Sequence, residues 1–234
     1  MRRLLLLAAA ATAFGTAAPE AQAARECEGL QVCVPVAGPW VVVPSGTRTP
    51  RPSVRFQLTC PQGYVVAGLD AELSHRAVDV TWAALLGTPV NPGVSTQRSA
   101  VFTAVFTGRG ARGVTFRPHI GCIPTAGGGG RIPTSLAQAF PPGPPAVRRV
   151  RTTRVRPART TVLTQRCAPG ERLVDAWHAV GFRGLRPPSA AVVESVRATR
   201  AVRAGRIAVT ARATAALGSR IAVVQAGLTC GGGP

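Results

Sequence analysis

Chemistry-bearing residues are few in this chain. Asp70, Glu72 and His75 lie close together, just after the stretch Cys60-Pro61-Gln62-Gly63. On an extended strand Asp70 and Glu72 share one face and His75 takes the other. Two carboxylates on a face suit a Ca²⁺ ion or an acid/base pair. Ion pairing with the surplus arginines, for instance Arg55, Arg76 or Arg117, is the plainer use for them. His119 and His178 are the remaining histidines. A thiol–imidazole nucleophile at Cys122 and His119 would need a free cysteine, and Cys122 has a better use in a disulfide. No G-x-S-x-G, H-E-x-x-H, Walker loop or dinucleotide fingerprint occurs. The pattern therefore favours a chain without catalysis, cofactor or metal. A hydrolase built on Asp70 and Glu72 with a histidine is the alternative.

The densest charge is Arg148, Arg149, Arg151, Arg154 and Arg156. Such a run could grip phosphate or carboxylate groups through bidentate guanidinium contacts, or serve as a charged edge strand that blocks aggregation. It contains no aromatic residue to stack a nucleotide base, so no specific nucleic-acid role is expected. All 28 basic residues are Arg, against nine acids, giving +19. Arg without Lys, with much Ala, Gly, Pro and Val, fits GC-rich bacterial coding. The charge reflects missing acids more than added cations. It is uneven: residues 146–234 hold 16 Arg and 3 acids, and residues 24–145 hold 10 Arg and 5 acids. A field of that sign attracts polyanions, and an anionic envelope polymer or surface is the partner this predicts.

The ends and the cysteines give the address. Arg2-Arg3, a leucine and alanine run, and Ala21-Gln22-Ala23 read as a secretory signal over 1–23, cleaved near Ala23. Its apolar run ends near Ala18, short of the ~20 residues of a membrane helix, so no transmembrane anchor is expected. Cys27, Cys33, Cys60, Cys122, Cys167 and Cys230 all follow that segment. An even set in an exported chain predicts disulfides.

These residues need a scaffold, and the chain repeats itself. Shifted by 107 positions, Cys60 falls on Cys167, Gly63 on Gly170, Arg76 on Arg183, and Thr103-Ala104 on Thr210-Ala211. One insertion then brings Cys122 onto Cys230. The reading is an all-β protein of two tandem disulfide-bonded, sandwich-like modules from an internal duplication. Its parts are an N-terminal segment with a local Cys27–Cys33 bridge (24–39), module 1 (40–125), a Gly/Pro-rich linker (126–146) and the Arg-rich module 2 (147–234). Strands are expected at 40–43, 53–60, 64–73, 77–86, 99–108 and 114–122, then at 147–156, 160–167, 171–182, 190–199, 206–214 and 220–230. The Ala-rich stretch 189–200 could instead be helical. Each module is small for one apolar core, and a bridge across some 60 residues would add about 4 kcal/mol in the chain-entropy model. The predicted function is an exported, non-catalytic binding or structural protein. A protease inhibitor presenting the loop at 87–93 is a further alternative.

Overall fold

A computed structural model describes residues 25–30, 32–83, 98–124 and 146–232. The signal segment (1–23), the loop at 87–93 and nearly all of the linker (126–146) lie outside the described residues.

Alternating apolar and polar residues make the strands, because successive side chains point to opposite faces. In the first half these are β1 (Val34–Ala37), β2 (Trp40–Val42), β3 (Ser53–Thr59), β4 (Tyr64–Leu73), β5 (Val78–Ala83), β6 (Ser99–Phe106) and β7 (Thr115–Pro124). The second half has β8 (Ala146–Val155), β9 (Thr160–Arg166), β10 (Arg172–Arg183), β11 (Val196–Arg203), β12 (Arg206–Ala213) and β13 (Ile221–Gly231). A short helix, α1 (Ala190–Glu194), precedes β11. The strand expected from residue 190 therefore starts only at Val196. Ser189 and the Ala-Ala-Val-Val that follows make a helical turn first, with the Val193 side chain buried.

In each half a three-stranded sheet packs on part of a larger one. β6 sits between β3 and β5; β12 sits between β9 and β11. The opposing sheet is shared by both halves, in the order β1-β7-β2-β10-β13-β8, with β4 added on β7. Phe56, Phe102, Phe106, Phe116 and Ile120 fill the first core. Leu163, Phe182, Ile207, Val209, Leu217 and Leu228 fill the second. The architecture is thus all-β and sandwich-like.

The halves match in detail. β4 and β10 each slip register once against their partners, between Val66 and Gly68 and between Leu173 and Asp175. Gly63 and Gly170 hold the turns before them at φ 81° and 83°. The expected disulfides are the ones that form: Cys27–Cys33, Cys60–Cys122 and Cys167–Cys230. The two long bridges have Cα–Cα separations of 5.8 and 5.7 Å.

β2 joins the halves, pairing with β7 through Val41 and Val42 and with β10 through Trp40 and Val41. Buried Gln225 of β13 adds a second link. Its Nε2 donates to the Gln57 carbonyl at 3.0 Å, and its Oε1 accepts from the Gln57 amide at 2.7 Å. Arg55 pairs with Asp175 across the same seam.

Candidate anion-binding face

The acids of the first half do not gather around His75. His75 sits in the turn after β4, where its Nδ1 accepts from the Ala77 amide at 3.0 Å and its ring meets Phe106 edge-on. Asp70 is used by backbone: Oδ2 accepts from the Arg25 amide at 2.6 Å and Oδ1 from that of Ala71 at 2.7 Å. Glu72 lies 3.6 Å from Arg117 and 3.0 Å from His119 Nε2. Glu26 approaches the other side of the imidazole, 3.5 Å from Nδ1. Neither approach to His119 is aligned as a hydrogen bond. The histidine that joins the acids is therefore His119.

A lid covers this cluster. Glu26 and the Cys27–Cys33 bridge lie against β4 and β7 at Gly68 and Gly121. A Cβ at either glycine would meet the Glu26 carbonyl oxygen, at 1.7 and 2.1 Å. Glu26, which the lid itself carries, and His119 on the strand below are both buried.

A cavity of about 430 Å³ opens on the seam between the halves, with Arg55, Asp175, His178 and Arg200 among its lining residues. Burial and the nearby Arg200 guanidinium push the His178 imidazole below its ordinary value, and a hydrogen bond with the Ala198 backbone partly offsets this. Asp175 and Arg200 are committed, Asp175 to Arg55 and to the Ala176 amide and Arg200 to the Ala176 carbonyl. Asp70, Glu72, His75 and His119 do not line this cavity.

The arginine run at 148–156 divides along edge strand β8. Arg149 is paired with Glu171, Nη2 to Oε1 at 2.7 Å and Nε to Oε2 at 3.2 Å. That fork and the Ala168 amide hold the Glu171 carboxyl below its ordinary value. Arg148 and Arg151 are exposed. Arg154 and Arg156 join Arg159, Thr153, Thr160 and Thr161 around a surface hollow of about 530 Å³.

That hollow borders a larger basic surface not foreseen from the sequence: the outer face of the β11–β12–β9 sheet. Ile207, Val209, Ala211 and Ala213 of β12 point into the core, so Arg206, Ala208, Thr210 and Arg212 point outward. Register aligns them with their neighbours in rows. Arg203, Arg206 and Arg166 form one row across the three strands. Ala201, Ala208 and Thr164 form the next, then Thr199, Thr210 and Val162. Arg197, Arg212 and Thr160 form the last, and Thr160 also lines the hollow. All five arginines are exposed, and none has an acidic partner among the described residues.

Like charges directly opposite each other on adjacent strands destabilise a sheet. The rows therefore carry a folding cost, and the described residues supply no acid to offset it. The matching face of the first half lacks them: its rows are Ser53–Val105–Asp79, Arg55–Thr103–Thr81 and Gln57–Val101–Ala83. The sequence signal was a period of two, Arg197-x-Thr199-x-Ala201-x-Arg203 followed by Arg206-x-Ala208-x-Thr210-x-Arg212.

No family model, curated protein or solved structure matches this chain. Among the described residues no helix is long and apolar enough to cross a membrane.

Proposed function

We propose that this is an exported, non-catalytic binding protein whose second half holds an anionic envelope polymer or surface. The observation that carries the reading is the pair of arginine rows on the β11–β12–β9 face. They are costly to folding, unneutralised, and suited to bidentate contact with anionic oxygens. Three disulfides support an oxidising, extracytoplasmic setting. We also read the two halves as copies of one ancestral unit, supported by their common strand order, register slips and cysteine spacing. On that reading the first copy became a docking partner for the second, and the second acquired the basic face.

The test is a salt titration of binding to purified, phosphate-containing wall polymer. Affinity should fall steadily as added salt shortens the Debye length below about 10 Å. Affinity independent of ionic strength would remove the electrostatic reading.

A further inference from the structure

Resting on that reading, we infer that the face takes one extended, phosphate-linked polymer laid along the strands and held at both ends. The geometry behind this is the separation of the two arginine rows. Arg206 and Arg212 are six residues apart on one strand, which at ~3.3 Å per residue puts the rows about 20 Å apart. Three strands make the face about 10 Å wide. Between the rows lie only Ala201, Ala208, Thr164, Thr199, Thr210 and Val162. This floor is uncharged and its side chains are small, so a chain can lie close to it without a charged group being stranded over an acid. A compact anion would engage one row and leave the other unused. A polymer longer than the floor engages both.

The chemistry of the ligand follows from the donors. Guanidinium forks meet phosphate oxygens two at a time, and threonine hydroxyls are ordinary phosphate donors. Thr160 stands in the Arg197–Arg212 row, and Thr164, Thr199 and Thr210 line the floor. No aromatic side chain is present on the face to stack a base, so the recognised unit is the phosphate backbone. Past the Arg197–Arg212 end, the hollow lined by Arg154, Arg156 and Arg159 continues the path through Thr160. The other end is closed by the tight Ala204-Gly205 turn, whose φ values of 44° and 71° fit a two-residue hairpin. That turn sets Arg203 directly opposite Arg206.

Two rows on one rigid sheet act as linked sites. A ligand that spans them gains affinity through effective concentration, by a factor of ~10² or more. The experiment measures binding of the full chain to a ladder of inorganic polyphosphates, from oligomers shorter than ~20 Å to ones twice as long, with a matched polyuronate ladder alongside. The expected result is a step of at least ~10² in affinity as polyphosphate length passes the row separation. R197Q/R212Q and R166Q/R203Q/R206Q should each abolish the step while retaining weak, length-independent binding. Both variants should melt no lower than the parent, because each removes like-charge contacts. A smooth rise with phosphate number and no step would overturn the two-ended inference and leave the polyanion reading standing. A step on the uronate ladder alone would overturn the phosphate assignment. Binding to neither ladder at any length would overturn both the inference and the reading beneath it.

Discussion

Substituting Gly121 by alanine should lift the N-terminal lid off the sheet. The added Cβ would stand 2.1 Å from the Glu26 carbonyl oxygen and 2.9 Å from Cys33 Sγ. Neither atom lies on a side chain that can swing clear: one is backbone and the other is locked in the Cys27–Cys33 bridge. Ordinary contact begins at 3.4 Å, so the carbonyl must retreat by 1.3 Å. That movement strains the Arg25 amide bond to Asp70, now 2.6 Å, and opens the buried Glu26 and His119 to water. Overpacking of this kind costs about 1–3 kcal/mol. For a protein of this size each kcal/mol moves Tm by about 2–4 °C, so Tm should fall by roughly 2–12 °C. Calorimetry gives the shift, and hydrogen exchange at residues 25–30 shows whether the lid is its source. A variant with parental Tm and parental protection there would refute the claim that these glycines exist to seat the lid.

Two further outcomes follow from the seam and from the β8 edge. Gln225→Ala leaves both the amide and the carbonyl of Gln57 without their partner, and should cost about 1–3 kcal/mol in chemical denaturation; an unchanged midpoint would show the seam is held elsewhere. Glu171 titrates below its ordinary value of 4.5 chiefly through Arg149. Its contribution to stability is therefore complete above about 4.5 and is lost as pH falls through its lower folded value. Glu171→Gln should flatten the acid limb of the stability curve, read by thermal melts across that range; an identical acid limb would exclude the pair as a contributor.

Much of the architecture is legible in the chain because period two is a local property. Ser53-Val54-Arg55-Phe56-Gln57-Leu58 alternates visibly, and β3 buries Val54, Phe56 and Leu58 as that pattern requires. Cysteine spacing pointed to both long bridges. The Val-Pro-Val of β1 hid a strand, since its proline breaks the strand signal; β1 lies at the edge of the shared sheet, where a missing amide is tolerated. Residues 189–200 are open to both readings because short Ala/Val runs read equally as helix and strand, and both occur there: a helix over Ala190–Glu194 and a strand from Val196.

The site was less legible for a different reason. Contiguous charge draws attention to Arg148–Arg156, although Arg149 is spent on Glu171. The arginines of the face are separated by five intervening residues on β11 and on β12, β9 carries only Arg166, and register alone brings Arg166, Arg203 and Arg206 into one row. Register is a tertiary property set by what each strand buries. The same holds for His119, which reaches Glu72 and Glu26 only through the β4–β7 pairing and the lid above it.

On the proposed function, polyanion contact belongs to the β11–β12–β9 face. Arginine-selective labelling with phenylglyoxal, read residue by residue by mass spectrometry with and without long-chain polyphosphate, tests it most directly. The expected result is protection of Arg166, Arg197, Arg203, Arg206 and Arg212, with Arg154, Arg156 and Arg159 next, and unchanged labelling of exposed Arg48, Arg51 and Arg76 in the first half. Protection concentrated on those first-half arginines, or none anywhere under binding conditions, would contradict it.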